Sequence, residues 1–498
     1  MVTVLVGVKY IKTFNNTLVC DIDAPPINLN PLYCTDYIGQ IICQAMHEPL
    51  FIKDSKEDLW KLGAASSLSV SDDKMHFIFE LDPSKKWSNG QPVTASNFVL
   101  TFEKLLNPTT NSPFASWFFC ILNAQLYNEG KCSKEHLGIK ELSTFRLEIQ
   151  LEQETPYIKA LLGTIQSAPS LSSRQNLNGE VTNGPYYLTS SENEEISLKR
   201  NKHYKDNVPT SIESVKFIIN KELGKAVEEY IKGNIHITCN TYFPFEKIEE
   251  FFGNESFHMK DSAILYALEY NEKSSMNKQL FKKLCEIIDI QKIAINLNNG
   301  IIPYTNLIPN SLLKVELSKN KYNLSNETLN SQKILFQQPI KVLYADYYPN
   351  AHIIRSLKEA WELMGINVEV QGLQFDKYLQ VKESDEFHIY LSLFSPFLSH
   401  PMAYYLHYLS YLDDEISWEL ENKLNNYFSV NDINMYSKYL LDIEKIIKER
   451  IPIVPLFTGK SMYLTSPNVV GYDVNTDGSI CYKDLRWNIR KDEKDGNL

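Results

Sequence analysis

The stretch "FRLEIQLEQ" at 145–153 alternates cleanly, with Phe145, Leu147, Ile149 and Leu151 on one side and Arg146, Glu148, Gln150 and Glu152 on the other. A period of two is that of an extended chain, so this pattern predicts a strand in a sheet with one buried and one wet face. "HFIFEL" at 76–81 is apolar and aromatic and predicts a second strand. Between them lies "KKWSNGQPVTASNF" (85–98). Asn89-Gly90 supplies turn chemistry and Pro92 cannot continue a strand. Thr94 is placed to cap a helix whose apolar stripe is Phe98, Phe102, Leu105 and Leu106. "NPTTNSP" (107–113) then ends that helix. The pattern of "TDYIGQIICQAM" (35–46) predicts another helix, with Thr35 as N-cap and Ile38, Ile41, Ile42 and Ala45 on one face. Residues 350–370 predict a helix carrying Ile353, Ile354, Leu357, Trp361 and Met364, ended by Gly365 and followed by a strand. With strand-like "KVLYADY" (341–347) ahead of it, the expected unit is strand–helix–strand with a parallel pair. A further long helix is expected from about Ile433 to Lys448.

A chain of 498 residues exceeds what one core serves, so two or three lobes are expected. No Gly/Ser tract, Pro-rich run or internal repeat separates them, which implies short crossings and a chain that passes between lobes more than once. Hydrophobic residues at 43% and charged residues at 22% are ordinary for a soluble globular protein. The longest apolar runs, such as "IPIVPLF" (451–457), are strand-sized and broken by proline. The net charge of -11 is dispersed, which argues against nucleic acid and anionic membranes as main partners. None of the eight cysteines forms a C-x-x-C pair, so neither zinc nor a redox dithiol is expected, and in so long a chain the cysteines are not read as a disulfide framework. The histidines are scattered, and His400 and His407, seven apart, fit no common metal spacing. "MVTVLVGVKYIK" has neither a basic leading region nor a small-residue cleavage site, so either the chain is cytoplasmic or an export signal lies outside this sequence.

There is no Walker A loop, G-x-G-x-x-G, G-x-S-x-G or H-E-x-x-H. The carboxylate clusters "SDD" (71–73) and "LDDE" (412–415) sit where turns and helix starts take acids. The 29 tyrosines and 24 phenylalanines crowd particular segments, among them "FASWFF" (114–119) and "FSPFLSHPMAYYLHYLSYL" (394–412). Much of this is core. The last segment has a second reading as an aromatic-lined pocket, because its prolines and serines break a simple packed helix. A chain without a nameable nucleophile–base pair but with such a pocket is read as a binding protein rather than an enzyme.

The order of segments carries a resemblance. "SDDKMHFIFELDPSKKWSNGQPVTASNFVLTFEKLLNPTTNSPFAS" (71–116) resembles a stretch of the oligopeptide-binding receptors that feed bacterial ABC importers, the family-five extracellular solute-binding proteins. "VTNGPYYLTSSENEEISLKRNKHYKDN" (181–207) and "RIPIVPLFTGKSMYLTSPNVVGY" (450–472) resemble later motifs of that family in the same order. The resemblance implies an α/β, two-lobed periplasmic-binding-protein fold of the class II, cluster C type. Its partition would be a discontinuous lobe I (1–47, 165–263 and 464–498), an inserted domain II (48–164) and a lobe III (264–463). It further implies a monomeric extracytoplasmic receptor, periplasmic or at the cell surface. Such a receptor closes over a peptide or peptide-like ligand in an interlobe cleft and hands it to an ABC permease, with no cofactor and no metal.

Departures from the family pattern bear on the ligand. If Pro401 takes the proline of the family's "W-x-x-D-Y-x-x-P", the tryptophan becomes Phe394 and the acid that pairs with a free peptide amine becomes Phe397. An arginine that can meet a peptide carboxylate falls on Leu391. Lys382 and Glu383 align with cleft-lining polar groups, Asn240 with a cleft asparagine and Phe375 with a cleft tryptophan. Phe114 to Phe119 fall near the lobe interface, and the expected ligand set is Asn240, Phe375, Lys382, Glu383, Phe394, Ser395, Phe397, Trp117 and Tyr266. The loss of the amine anchor keeps open the same fold with a less charged ligand: a capped or cell-wall peptide, a sugar, a metal chelate or haem. A non-transport interaction or chaperone role is the remaining alternative.

Overall fold

A computed structural model describes residues 16–54, 59–171, 181–192, 194–205, 212–239, 243–297, 300–313, 338–347, 349–382, 384–396, 398–429 and 433–488. The chain divides into two compact units, one of Met1–Phe243, Gly253–His258 and Tyr463–Leu498, the other of Pro244–Phe252 and Met259–Met462. Each unit therefore draws on separated stretches of chain, as the lack of a linker implied.

In the first unit a four-stranded sheet runs in the order Thr17–Ile22, Ser214–Ile219, Glu195–Arg200, Tyr186–Glu192. The first pair is parallel and the others antiparallel. The helix Tyr37–Met46 buries Ile38, Ile41 and Ile42 in one cluster with Leu18, Ile22, Val215 and Phe217. Its cap is Asp36 rather than the expected Thr35. A carboxylate oxygen of Asp36 accepts the Gly39 N–H at 2.7 Å, and ionised acceptors make the stronger caps. A second, antiparallel sheet has the order Ala65–Val70, His76–Leu81, Arg146–Gln150, Ile139–Ser143. Leu147 and Ile149 are fully buried, as the alternation required.

The helix Ala95–Leu105 lies against the Ile139–Ser143 strand, with Phe98, Phe102, Leu105 and Leu106 all buried. Each such side chain contributes about 1.5–3 kcal/mol by leaving water, and Phe102→Ala would cost about 3–5 kcal/mol with its cavity. The preceding turn is tied to this helix through one side chain. Asn97 Oδ1 accepts the Thr94 N–H at 2.9 Å and the indole N–H of buried Trp87 at 3.2 Å. Gly90 takes φ +88°, a conformation that favours glycine.

The second unit is built on a mixed sheet in the order Ile301–Pro303, Ile453–Leu464, Phe257–Tyr270, Ile389–Phe394, Ile340–Ala345, Val368–Leu373. The helix Asn350–Leu363 joins the last two strands, which are parallel as predicted. Ile353, Ile354, Leu357 and Trp361 are buried, and the Trp361 indole donates to the Leu284 carbonyl at 2.9 Å. Met364 departs from the expected stripe. It follows the last helical residue, next to Gly365 at φ +80°, and is exposed because the chain has already left the helix. The long helix is Ile433–Arg450. After Pro401 the helix Met402–Leu409 forms, and Tyr404, Tyr405 and Tyr408 are buried core residues. Proline at a helix start removes only a donor that is unpaired there, so it did not prevent this packing.

Candidate functional site

Two of the motifs that carry the family resemblance, those at 71–116 and 181–207, converge on one buried carboxylate in the first unit. Glu48 is 2% exposed, and its backbone N–H and carbonyl are both held by the side-chain amide of Asn183. One carboxylate oxygen lies 2.6 Å from Lys85 Nζ, and the other accepts the hydroxyl of Tyr204. The Lys85 ammonium also sits 4.9 Å from the centre of the Tyr204 ring. Ser88 N–H donates to the Thr182 carbonyl at 2.8 Å, and Asn201 Nδ2 to the Gly184 carbonyl at 3.0 Å. "KKW", "TNG" and "NKHY" thus describe a structural joint. A Cβ at Gly184 would lie 2.5 Å from the Met46 backbone, which explains the glycine. Beside the joint, His47 is buried, its two ring nitrogens meet no hydrogen-bond partner among the described residues, and burial lowers its pKa to about 4.

The second unit holds a different carboxylate. On Phe257–Tyr270 and Ile389–Phe394, alternate residues face opposite sides of the sheet. Tyr266, Leu268, Ile389 and Leu391 enter the large core with Ile353, Leu357 and Trp361. Glu269, Tyr390, Ser392 and Phe394 occupy the alternate positions, with Glu269 opposite Tyr390 and Leu265 opposite Phe394. The Glu269 carboxylate lies 2.6 Å from Lys382 Nζ and accepts from the Ser392 hydroxyl at 2.6 Å and the Tyr411 hydroxyl at 3.1 Å. Lys382 also donates to Ser392 Oγ at 3.2 Å and sits 5.6 Å from the centre of the Tyr390 ring. Burial alone would raise the Glu269 pKa, but the Lys382 charge and the bonds from Lys382, Ser392 and Tyr411 outweigh it and hold the acid below its usual range. His407 is lowered, chiefly by burial, so a neutral imidazole stands near this pair; its ring lies 5.1 Å from that of Phe394.

Of the sequence-predicted set, Lys382, Phe394 and Ser395 fall in or beside this cluster. Phe375, seven residues before Lys382 on the Phe375–Lys382 helix, is 39% exposed and lies 6.3 Å from buried Tyr378, whose hydroxyl meets Ser392 at 3.3 Å. Tyr266 is the exception in this unit. Strand alternation puts it on the large-core side of the sheet, 6% exposed, away from Glu269. The same alternation buries Leu391, so an arginine aligned there would enter the core. Trp117 belongs to the first unit, half-buried and edge-on to Phe114 at 5.2 Å. Asn240, Glu383 and Phe397 lie outside the described residues. Sequence reasoning missed Glu269, Ser392 and Tyr411. The signal available was a lone acid in the apolar run "AILYALEY" (263–270), since a charge in a buried strand demands a partner.

No group of three or more metal-ligating side chains occurs among the described residues, and no helix among them is long and apolar enough to cross a membrane. The chain is 24% identical over 505 residues to the periplasmic murein peptide-binding protein MppA of Escherichia coli, covering 95% of this chain and 93% of that protein. The solved structure of the Escherichia coli murein tripeptide-binding protein MppA matches with a TM-score of 0.84 at 22% identity, covering 95% of this chain and 99% of the other. Haemophilus influenzae OppA in complex with RPPGFSPFR matches with a TM-score of 0.83 at 21% identity, covering 95% and 99%. These likenesses establish the two-lobed α/β periplasmic binding fold. The family model for bacterial extracellular solute-binding proteins, family 5 (middle region), matches residues 60–415, and the chain belongs to that family.

Proposed function

We propose that this protein is an extracytoplasmic receptor that binds peptides or peptide-like ligands and delivers them to an ABC import permease. It acts by binding rather than catalysis, as a monomer, in the periplasm or at the cell surface. Family membership and the peptide ligands in the names of MppA and the OppA complex support this reading. The observation that carries it to particular residues is the Lys382–Glu269 pair. It is a charged pair on the sheet face opposite the large core, with Lys382 still 24% exposed and Phe375 and Phe394 nearby. A lysine ammonium has three donors, and Glu269 and Ser392 account for two, which leaves a direction for a ligand carbonyl or carboxylate. The ligand set we assign is Phe375, Lys382, Phe394 and Ser395, with Trp117 and with Asn240, Glu383 and Phe397 from the motif alignment. The inserted domain is assigned to 48–164. Calorimetric titration with a murein tripeptide and a nonapeptide tests the reading. Binding of either at micromolar affinity, weakened about tenfold by Lys382→Met, is the expected result. Absence of binding to both peptides would overturn it.

A further inference from the structure

The connection from the Thr17–Ile22 strand to the Tyr37–Met46 helix is laced to one face of that helix. Asp36 accepts the Ile27 N–H at 3.1 Å and the Gly39 N–H at 2.7 Å through its two carboxylate oxygens. Gln40 Nε2 donates to the Cys34 carbonyl at 2.5 Å, and the Cys43 thiol donates to the Leu29 carbonyl at 3.2 Å. A Cβ at Gly39 would come within 2.6 Å of Cys34 Sγ and 2.8 Å of the Asn28 carbonyl oxygen. Glycine is therefore needed where the Cys34 side chain lies on the helix. Gly39 and Cys43 stand one turn apart on the same face, so Cys34 Sγ is carried toward Cys43. Both cysteines are free thiols in the structure and fully buried in one apolar cluster.

We propose that Cys34 and Cys43 are joined by a disulfide bond when the protein folds in an oxidising compartment. The pair is nine residues apart and spans from the loop to the helix, so the bond ties the connection to the element it already packs against. The oxidant is an external disulfide, either a small-molecule disulfide or that of a thiol–disulfide oxidoreductase. One cysteine thiolate attacks it, forms a mixed disulfide and releases one thiol. The second thiolate attacks the mixed disulfide at the first cysteine sulfur and releases the other. Each cysteine sulfur loses one electron, the external disulfide gains two, and the two thiol protons end on the released thiols. In the folded protein burial raises the Cys43 thiol well above its ordinary range, and contact with Cys34 adds to it. The attacking thiolate is scarce there, so the bond forms before the helix docks and is shielded from reductants afterwards. Extracellular members of a solute-binding family meet such oxidants; the chemistry does not depend on which ligand the receptor takes.

The test refolds denatured wild-type protein in a mixture of oxidised and reduced glutathione. Remaining thiols are then alkylated, and the chain is cut with trypsin and a protease cleaving before aspartate. Cleavage before Asp36 separates the two cysteines, so the bond appears as fragments 23–35 and 36–53 linked, two hydrogens lighter than their sum. The oxidised protein should melt about 5 °C above the reduced one, and Cys34→Ser should abolish that difference. Separate alkylation of Cys34 and Cys43 after refolding, or a bond from either to Cys20, would overturn the proposal. The fragment map is read on wild type, so it stands even where a variant folds poorly.

Discussion

Glu48 and Glu269 are both nearly buried, both lie 2.6 Å from a lysine ammonium and both accept a tyrosine hydroxyl, yet they sit in different company. Around Glu48 the partners are locked by the backbone. Asn183 holds the main chain of Glu48 itself, and neighbouring turns are pinned by Thr182, Asn201 and Gly184. Lys85 is 15% exposed. Around Glu269 the partners are side chains, Ser392 from the neighbouring strand, Lys382 from the end of a helix and Tyr411 from beyond another, and Lys382 is more open to solvent. The first pair is a joint and the second is a surface with a charge on it. The recognisable motifs mark the joint, which is why they identify a family and say little about a ligand.

The sharpest way to break this contrast is Glu48→Gln, which leaves the largely buried Lys85 ammonium without its countercharge. A loss of about 3–5 kcal/mol in chemical denaturation is expected, with peptide affinity of the folded protein unchanged. A change in affinity would mean that Glu48 is not purely structural.

Acid offers a second test. The folded His47 pKa is depressed to about 4, below its unfolded value of about 6.5. Its contribution to stability is therefore present above pH 6.5 and is lost as pH falls toward 4, up to about 3 kcal/mol. His236, lowered to about 4 by burial, acts in the same window and sense, and His407 in the second unit, also lowered chiefly by burial, acts in the same sense. Glu269, depressed, keeps its contribution until pH falls below the ordinary carboxylate range. Melting temperatures measured from pH 7 to 4 should fall, and His47→Leu should flatten that fall. An unaltered slope in the variant would assign the acid sensitivity elsewhere.

A third test separates surface from joint. Replacing both members of the open pair, Glu269→Gln with Lys382→Met, leaves no stranded charge, so stability should shift by about 1 kcal/mol or less. Peptide affinity should nevertheless drop about tenfold, roughly 1.4 kcal/mol by titration. An affinity that survives the double change would place ligand recognition away from this pair.

The smallest effect concerns Asp21, buried in the first unit, where burial raises the acid to about 6 against bonds from Cys239 and Asn220. A raised folded pKa contributes stability below the unfolded value that is lost as pH rises through 6. Asp21→Asn should therefore gain relative to wild type as pH rises from 5 to 7, by about 1 kcal/mol in paired denaturation curves.

What was legible in the sequence follows a physical boundary. The alternation at 145–153 and the stripe Phe98, Phe102, Leu105 and Leu106 are local periodicities, and burial follows them at Leu147, Ile149 and Leu151 and along the whole stripe, with Phe145 half-buried at the strand end. Choosing Thr35 over Asp36 as a cap was a one-residue matter that only backbone geometry decides. The site was less legible because pairing across strands has no local period. Tyr266 and Glu269 are three residues apart, and which of them faces the large core depends on the sheet. Lys382 was visible through its motif position, while Glu269, 113 residues earlier, was not.

The joint at Glu48 also has a consequence in time. Tyr204 lies 156 residues beyond Glu48 along the chain, and Asn183 lies 135 beyond it. While the polypeptide emerges as a thread, Lys85 is soon at hand for this acid, but the hold of Asn183 on its backbone and the hydroxyl of Tyr204 come only when those later residues arrive. Closing so long a loop is entropically slow, so the joint is completed after the local sheet at 65–150. For such a chain, that delay leaves the joint open until the later segments catch up.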